Sequence, residues 1–442
     1  MYAFLFLLYH GLPDGYALNQ KSFQFATALV KHLTGEIQRV QQKKQEKEKR
    51  ITRKRQTARN AKNLPFLEIT ENTPKDITDI MGLPPLKFDK RYKNPCFKGG
   101  KSNTSNPMFK DGELHCLPYF YILGVKKSGT SDLYTRLMAH REFQVPRYKE
   151  SQWFPRIRFG GSNKKVRTTV DNRSVKFYIS MFDKAVERIQ KCPSKHNGNR
   201  NKNPCITVLF CLSADATPAN FHMHTGWDLL PGNEGLTEPR YTNFHYIKHL
   251  TPDAKIIVIF RDPVTRLFSD FIHETRDRDL YTNLQLQKKF DSQSRTIIKA
   301  YKTCFKMFTM RRCIYNQTIL SHIPKNERSM LGKSFSAGFY AFFMKEIFSV
   351  FRRNQVMTVN MNAYITYKER TLQQIFKFLK MSPLSSIDMT NIAAIQPVHQ
   401  SSRDITMLKT TKDMLYRFYK PYNKQLATLL QDNSYLFKQP SS

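Results

Sequence analysis

A chain of 442 residues with 40% hydrophobic and 13% aromatic content can bury one large α/β core or two modest ones. Its 72 Lys and Arg against 35 Asp and Glu leave a net charge of +37, which points to a polyanionic partner: nucleic acid, an anionic membrane surface or a sulfated glycan. No zinc-finger or RNP signature of a nucleic-acid binder is present, and none of the seven cysteines forms a C-x2-C pair, which argues against a zinc site.

The chain opens on an apolar run, Tyr2 to Tyr9, far too short to span a bilayer and without the positive n-region of a signal peptide. Arg39 to Lys62 holds 11 Lys and Arg against two Glu with no apolar stripe. It reads as a solvated linker; a heparin- or nucleic-acid-binding arm is the alternative. Residues 63–95 are punctuated by proline and read as irregular chain on the surface of a folded domain.

The most informative segment is 119–139, YFYILGVKKSGTSDLYTRLMA. Tyr119 to Leu123 predicts a buried strand over 119–124 and a helix follows over 131–140. A strand, a glycine-containing turn and a helix N-terminus cradle an anion, through backbone N–H groups and the helix dipole. Lys127 adds a cation; Ser128, Thr130 and Ser131 add hydroxyl donors around Gly129. In the P-loop of NTPases a lysine follows the second glycine; here it stands at 127 instead. Farther on, Tyr148 to Phe154 (YKESQWF) is followed by the basic RIRFG of residues 156–160.

Helix is expected over 174–190, a polar loop over 191–203 and a strand over 206–212. Asp215-Ala216-Thr217-Pro218 forms a turn, in which Asp215 and Thr217 support either an acceptor or the loop. His222 and His224 read as polar loop residues. A helix over 241–250 leads to KIIVIFRDPVTRLFSDF, residues 255–271. Its β-branched run predicts a strand over 255–260. Arg261 stands where the strand ends, Asp262 is an N-cap and Pro263 a first helical residue, so a helix is expected over 264–274 with Ser269 on it. Helices follow at 336–353, 370–380 and 409–431, with a strand at 355–361. Alternation of this kind implies a parallel, doubly wound sheet with ligands at its carboxyl edge.

Cys96 and Cys116 flank a loop before the first strand and are candidates to pair; an odd count of seven leaves at least one thiol free or paired between chains. Sequons stand at Asn103, Asn172 and Asn316. Together with disulfides they lean toward the secretory lumen.

In its two strand-to-helix motifs the chain resembles the Golgi carbohydrate sulfotransferases. The Lys149-Glu150 pair, Trp153 with the RFG stretch, and Cys116 to Ile122 are most like the group that sulfates C6 of N-acetylgalactosamine 4-sulfate. Ala216, where heparan sulfate enzymes usually carry lysine, fits that group. The resemblance runs from about Asn94 to Leu436. It implies an α/β, P-loop-like sulfotransferase fold, a central mostly parallel sheet flanked by helices, over residues 94–438. Residues 39–93 would then be a stem, and 1–38 the remnant of a type II Golgi anchor, the only membrane contact. It implies 3′-phosphoadenylyl sulfate as co-substrate with no metal required, a sulfated glycosaminoglycan acceptor and no nucleic acid. It also implies a local Cys304–Cys313 disulfide.

Carried onto this sequence, Lys127, Ser128, Gly129, Thr130 and Ser131 hold the 5′-phosphosulfate end. Arg261 and Ser269 hold the 3′-phosphate, a guanidinium gripping two oxygens and a hydroxyl donating a third bond. Glu150 is the catalytic base, and Lys149 stabilises the transferring group or contacts the acceptor. Arg156 and Arg158, the cations nearest that base, are candidates for the 4-sulfate of the acceptor. Trp153 either stacks on a sugar or packs in the core. The family's glycine- and lysine-containing loop before the last helix is replaced by residues 398–403, where only Arg403 supplies a cation. The strand at 355–361 ends without the usual acidic residues. A P-loop kinase is disfavoured by the displaced lysine and the downstream Arg261 to Ser269 spacing. A heparan sulfate or other carbohydrate sulfotransferase, or a glycan-binding relative without activity, remains as an alternative.

Overall fold

The computed structural model describes residues 80–100, 109–159, 174–192, 194–197, 206–224, 226–275, 281–315, 330–397 and 405–437. All fall in one compact unit, Leu67–Ser442. Arg403, Asn103, Asn172, Asn316, the apolar N-terminal run and the basic run at 39–62 lie outside the described residues.

The chain order begins with a hairpin of β1 (Cys96–Lys98) and β2 (Leu114–Cys116), antiparallel with Cys96 opposite Cys116, and these two cysteines are disulfide-bonded. The described part of the proline-punctuated lead-in, residues 80–95, is irregular and mostly partly exposed, with two buried residues tying it to the domain. Ile80 is fully buried, and Asn94 is built into the domain: its Nδ2 donates to Leu117 O at 2.7 Å and its Oδ1 accepts from Ser213 N at 2.9 Å. β3 (Phe120–Gly124) is buried at every residue and leads into α1 (Thr130–Met138).

The helix expected over 174–190 is two helices, α2 (Val175–Ser180) and α3 (Asp183–Ile189), broken at Met181 and Phe182, both buried. β4 (Ser194–Asn197) then pairs antiparallel with β5 (Ile206–Leu209). The strand predicted at 206–212 therefore belongs to a hairpin, and the strand that joins the main sheet is the two-residue β6 (Ala214–Asp215). An apolar run does not name its partner, and here a Cys192–Cys211 disulfide ties the end of that run to the end of α3.

α4 (Asn243–Leu250), β7 (Lys255–Phe260) and α5 (Pro263–Glu274) follow as expected, with Asp262 Oδ1 accepting from Thr265 N at 2.8 Å. Next come α6 (Asn283–Met307) and α7 (Met310–Tyr315), joined by the Cys304–Cys313 disulfide. The 25-residue α6 carries a signal that sequence reading passed over, the capping box of Thr282 and Gln285. α8 (Met330–Ser336), α9 (Tyr340–Val350), β8 (Val356–Asn360), α10 (Met361–Thr366), α11 (Lys368–Phe378), α12 (Ser386–Ala394) and α13 (Lys409–Leu430) complete the described chain.

The main sheet is four-stranded and parallel, in the order β6-β3-β7-β8. Its central strands alternate strictly. Tyr121, Leu123, Ile256, Val258 and Phe260 enter one core, with α4, α5, α9 and α13. Phe120, Ile122, Ile257 and Ile259 enter the other, with α1, α11 and α12. Each such side chain contributes about 1.5–3 kcal/mol on burial. After β3 the chain runs to β6 on one side and then to β7 on the other. β3 thus sits at the topological switch point, where open α/β sheets hold ligands beyond their carboxyl ends.

Candidate active site

The turn leaving β3 is shaped by two residues in the left-handed region, Lys127 (φ 67°) and Gly129 (φ 84°). At Gly129 a Cβ would meet only Ile259 Cδ1 at 3.8 Å and Met361 Cε at 3.9 Å, so backbone conformation rather than crowding calls for glycine. Gly129 supplies no side-chain cap to α1. The first N–H groups of a helix have no intrahelical acceptor and carry the positive end of its dipole. Ser128 lies within this turn, and its buried Oγ has no hydrogen-bond partner among the described residues. A phosphate-like anion would satisfy that hydroxyl and those N–H groups together. α1 is fixed in place by Arg136, fully buried, which donates to Ile392 O and Ile395 O at 2.6 Å each and to Asp132.

The two lysines of the turn divide their work. Lys126 pairs with Asp270 at 2.9 Å and with Glu274, both on α5. Asp270 is in turn held by Ser334 and faces Arg266, whose Nη1 lies 3.6 Å away. Lys127 makes no such pair among the described residues. Burial foremost, with the charges of Lys126 and Arg261 added, lowers its pKa from the ordinary value, while Asp270 and Glu274 oppose the shift. Arg261, at the end of β7, donates through Nη1 to Lys127 O at 3.3 Å and through Nε to Thr265 Oγ1 at 3.2 Å. The two motifs are thus in contact. Ser269 is half-buried two turns along α5 from Arg261.

Lys149 Nζ donates to Ser131 Oγ at 2.6 Å and lies 3.3 Å from Glu150 Oε1, so the Lys-Glu pair stands at the start of α1. Glu150 Oε2 accepts from Gln152 Nε2 at 2.6 Å. Both side chains remain partly exposed, 27% and 35%. Their segment is pinned to β6: Ala216 N donates to Lys149 O at 3.1 Å and Gln152 N to Thr217 Oγ1 at 3.2 Å. The residues after β3, β6 and β7 therefore converge, which brings Lys127, Lys149, Arg261 and the Glu150 carboxylate to the same edge of the sheet.

Several expectations need correcting. Asp215 is not available to an acceptor. It is buried and accepts from Ser151 Oγ at 2.6 Å, Thr217 Oγ1 at 2.5 Å and Tyr178 Oη at 3.2 Å, so it supports the loop carrying Glu150. Burial raises its pKa, and those hydroxyl bonds oppose the rise. Trp153 is fully buried, stacked on Tyr178 with ring centroids 5.0 Å apart, and cannot lie along a sugar. Arg158 is also buried, its guanidinium 4.2 Å from the Tyr246 ring centre, which leaves Arg156 as the half-exposed cation of that stretch. His222 and His224 are buried, and desolvation pushes each down to about 3.

The turn, Arg261 and the Lys149–Glu150 pair thus sit together at the carboxyl edge of a doubly wound α/β sheet. Residues 118–321 match the model of the sulfotransferase family. The chain is 28% identical over 334 residues to carbohydrate sulfotransferase 15 of Homo sapiens, covering 74% of this chain and 56% of that protein. It is 27% identical over 366 residues to the Mus musculus protein of the same name, covering 79% and 60%. The chain therefore spans a little under two thirds of the length of the curated relatives it matches. A solved sulfotransferase from Alicyclobacillus acidocaldarius aligns at 19% identity over 73% of this chain and 99% of its own, with a TM-score of 0.43.

Proposed function

We propose that the chain, with residues 94–438 as its catalytic domain, transfers a sulfuryl group from 3′-phosphoadenylyl sulfate to a hydroxyl of a sulfated glycosaminoglycan. The observation that carries this reading is the bond between Lys149 and Ser131, which brings the Lys149–Glu150 pair to the mouth of the Lys127–Ser131 turn. The similarity to carbohydrate sulfotransferase 15 supports a carbohydrate as acceptor.

When bound, the nucleotide supplies an activated sulfuryl group on its 5′-phosphate. The acceptor hydroxyl oxygen forms the new O–S bond, and the bond from sulfur to the 5′-phosphate oxygen breaks, releasing adenosine 3′,5′-bisphosphate. Glu150 takes the hydroxyl proton, since an alcohol is too weak an acid to attack unaided. Lys127 and the turn N–H groups offset the charge that grows on the leaving oxygen, and Lys149 that on the sulfuryl oxygens. Arg261 and Ser269 grip the 3′-phosphate, so binding remote from sulfur holds it in line.

C6 of N-acetylgalactosamine 4-sulfate in chondroitin or dermatan sulfate is the favoured acceptor. It is supported by the likeness to the curated relatives, by Ala216 and by Arg156, the half-exposed cation of the stretch that follows Glu150. The Golgi lumen is the favoured compartment; the disulfides fit an oxidising one. Among the described residues no helix is long and apolar enough to cross a membrane. The test is transfer of radiolabelled sulfate from the donor to chondroitin, dermatan and heparan acceptors, followed by disaccharide analysis. Label at C6 of 4-sulfated galactosamine is expected. Label on heparan alone would overturn the acceptor, and none on any glycan would overturn the activity.

A further inference from the structure

The exposed side of α6 carries a regular line of charge. At about 100° per residue, Lys288, Ser292, Arg295, Lys299, Lys302 and Lys306 fall within about 40° of one line along the helix. All six are exposed. The buried face, with Leu286, Phe290, Ile297 and Tyr301, is opposite. From Lys288 to Lys306 the line runs about 27 Å. The only carboxylate on the helix, Asp291, is committed to Arg295 at 2.8 Å and to Thr411. The four lysines make no ion pair among the described residues.

We infer that this lysine line is a docking track for a sulfated polysaccharide, holding the acceptor chain at sugars remote from the one that reacts. The inference rests on the acceptor class proposed above. A single file of cations matches a linear polyanion, and it contains none of the residues assigned to transfer. Two other polyanions fit less well. Three disulfides indicate an oxidising compartment, away from nucleic acid. A membrane-binding helix sets apolar residues beside its cations. Here the exposed apolar residues Leu284 and Met307 stand only at the two ends of the line, with Phe308 just beyond.

The test uses the full chain carrying Lys288→Glu, Lys299→Glu, Lys302→Glu and Lys306→Glu. A control carries the same four-charge reversal elsewhere, at the exposed Lys377, Lys380, Lys420 and Lys424. Binding is measured by calorimetry without any sulfate donor, against polymeric chondroitin 4-sulfate and against a tetrasaccharide cut from it. We expect the α6 variant to bind the polymer at least tenfold more weakly and at a lower limiting salt concentration. Its tetrasaccharide affinity and melting temperature should match wild type, and the control should lose less than threefold for the polymer. Equal losses in both variants, or unchanged polymer affinity in the α6 variant, would overturn the track. So would loss of binding to anionic vesicles or RNA in place of the polysaccharide. Because no transfer is measured, a chain that sulfates nothing would overturn the proposed activity and leave this result standing.

Discussion

Replacing Asp270 by Asn keeps the side chain's size and removes its charge. Asp270 is 1% and Arg266 0% exposed, so the change leaves a buried guanidinium facing a neutral amide. Breaking one partner of a buried ion pair costs about 3–5 kcal/mol. The Lys126 side chain is 27% exposed, and water screens its share of the pairing. The lower end, about 3 kcal/mol, is therefore expected from guanidinium unfolding with an unchanged slope. The pH dependence carries a sign. Burial raises the Asp270 pKa, but Lys126, Arg266 and Ser334 outweigh it and hold the carboxyl below its usual value. Its contribution is therefore present above about pH 4 and lost as pH falls through the lower folded value, so the gap between wild type and variant should close in acid. Lys126 stands next to Lys127, so affinity for adenosine 3′,5′-bisphosphate should also fall, by about tenfold or 1.4 kcal/mol. A variant as stable as wild type at pH 7, to within about 0.5 kcal/mol, would refute the claim that this network anchors the turn to α5.

Glu150→Gln preserves shape and removes basicity; turnover should drop about 10²-fold or more with nucleotide affinity near wild type. A variant that keeps most of its rate would remove Glu150 from the role of base. Arg261→Ala removes charge-assisted bonds worth about 1.5–3 kcal/mol each, so calorimetry should show adenosine 3′,5′-bisphosphate bound at least tenfold more weakly. Unchanged affinity would take the 3′-phosphate away from the end of β7. The unfolded chain protonates His222 and His224 below about pH 6.5, whereas the folded chain keeps them neutral to about 3. Stability should therefore fall with pH, the pair costing about 4 kcal/mol by pH 5. A His222→Leu, His224→Leu variant should lose that share of the slope; equal slopes in the two proteins would show that the histidines accept protons while folded.

Local chemistry made part of this protein legible. The apolar run at Phe120–Gly124, the glycine turn and the Asp262–Pro263 helix start each act within a few residues, so pattern alone located both strand-to-helix junctions. Alternation of strand and helix likewise announced the doubly wound sheet. What lay beyond reach depends on contacts between distant residues. Whether 206–212 or the two residues Ala214–Asp215 joined the main sheet was decided by pairing with β3. Trp153 read equally as a sugar-stacking or a core residue and Arg158 as a candidate for the acceptor's sulfate, and only packing against Tyr178 and Tyr246 turned them inward. Lys126 and Lys127 are the same residue in adjacent positions. The resemblance singled out Lys127, but the sequence carried no physical reason for the choice; the folding of α5 beside the turn gave Lys126 to Asp270 and Glu274 and left Lys127 without a carboxylate partner among the described residues. Asp215 looked equally suited to an acceptor or a loop until three hydroxyls, two of them from residues 37 and 64 positions away, closed around it. Such choices belong to tertiary structure because burial and partner identity are properties of the assembled chain, where a polar group removed from water must take whichever partner the fold supplies.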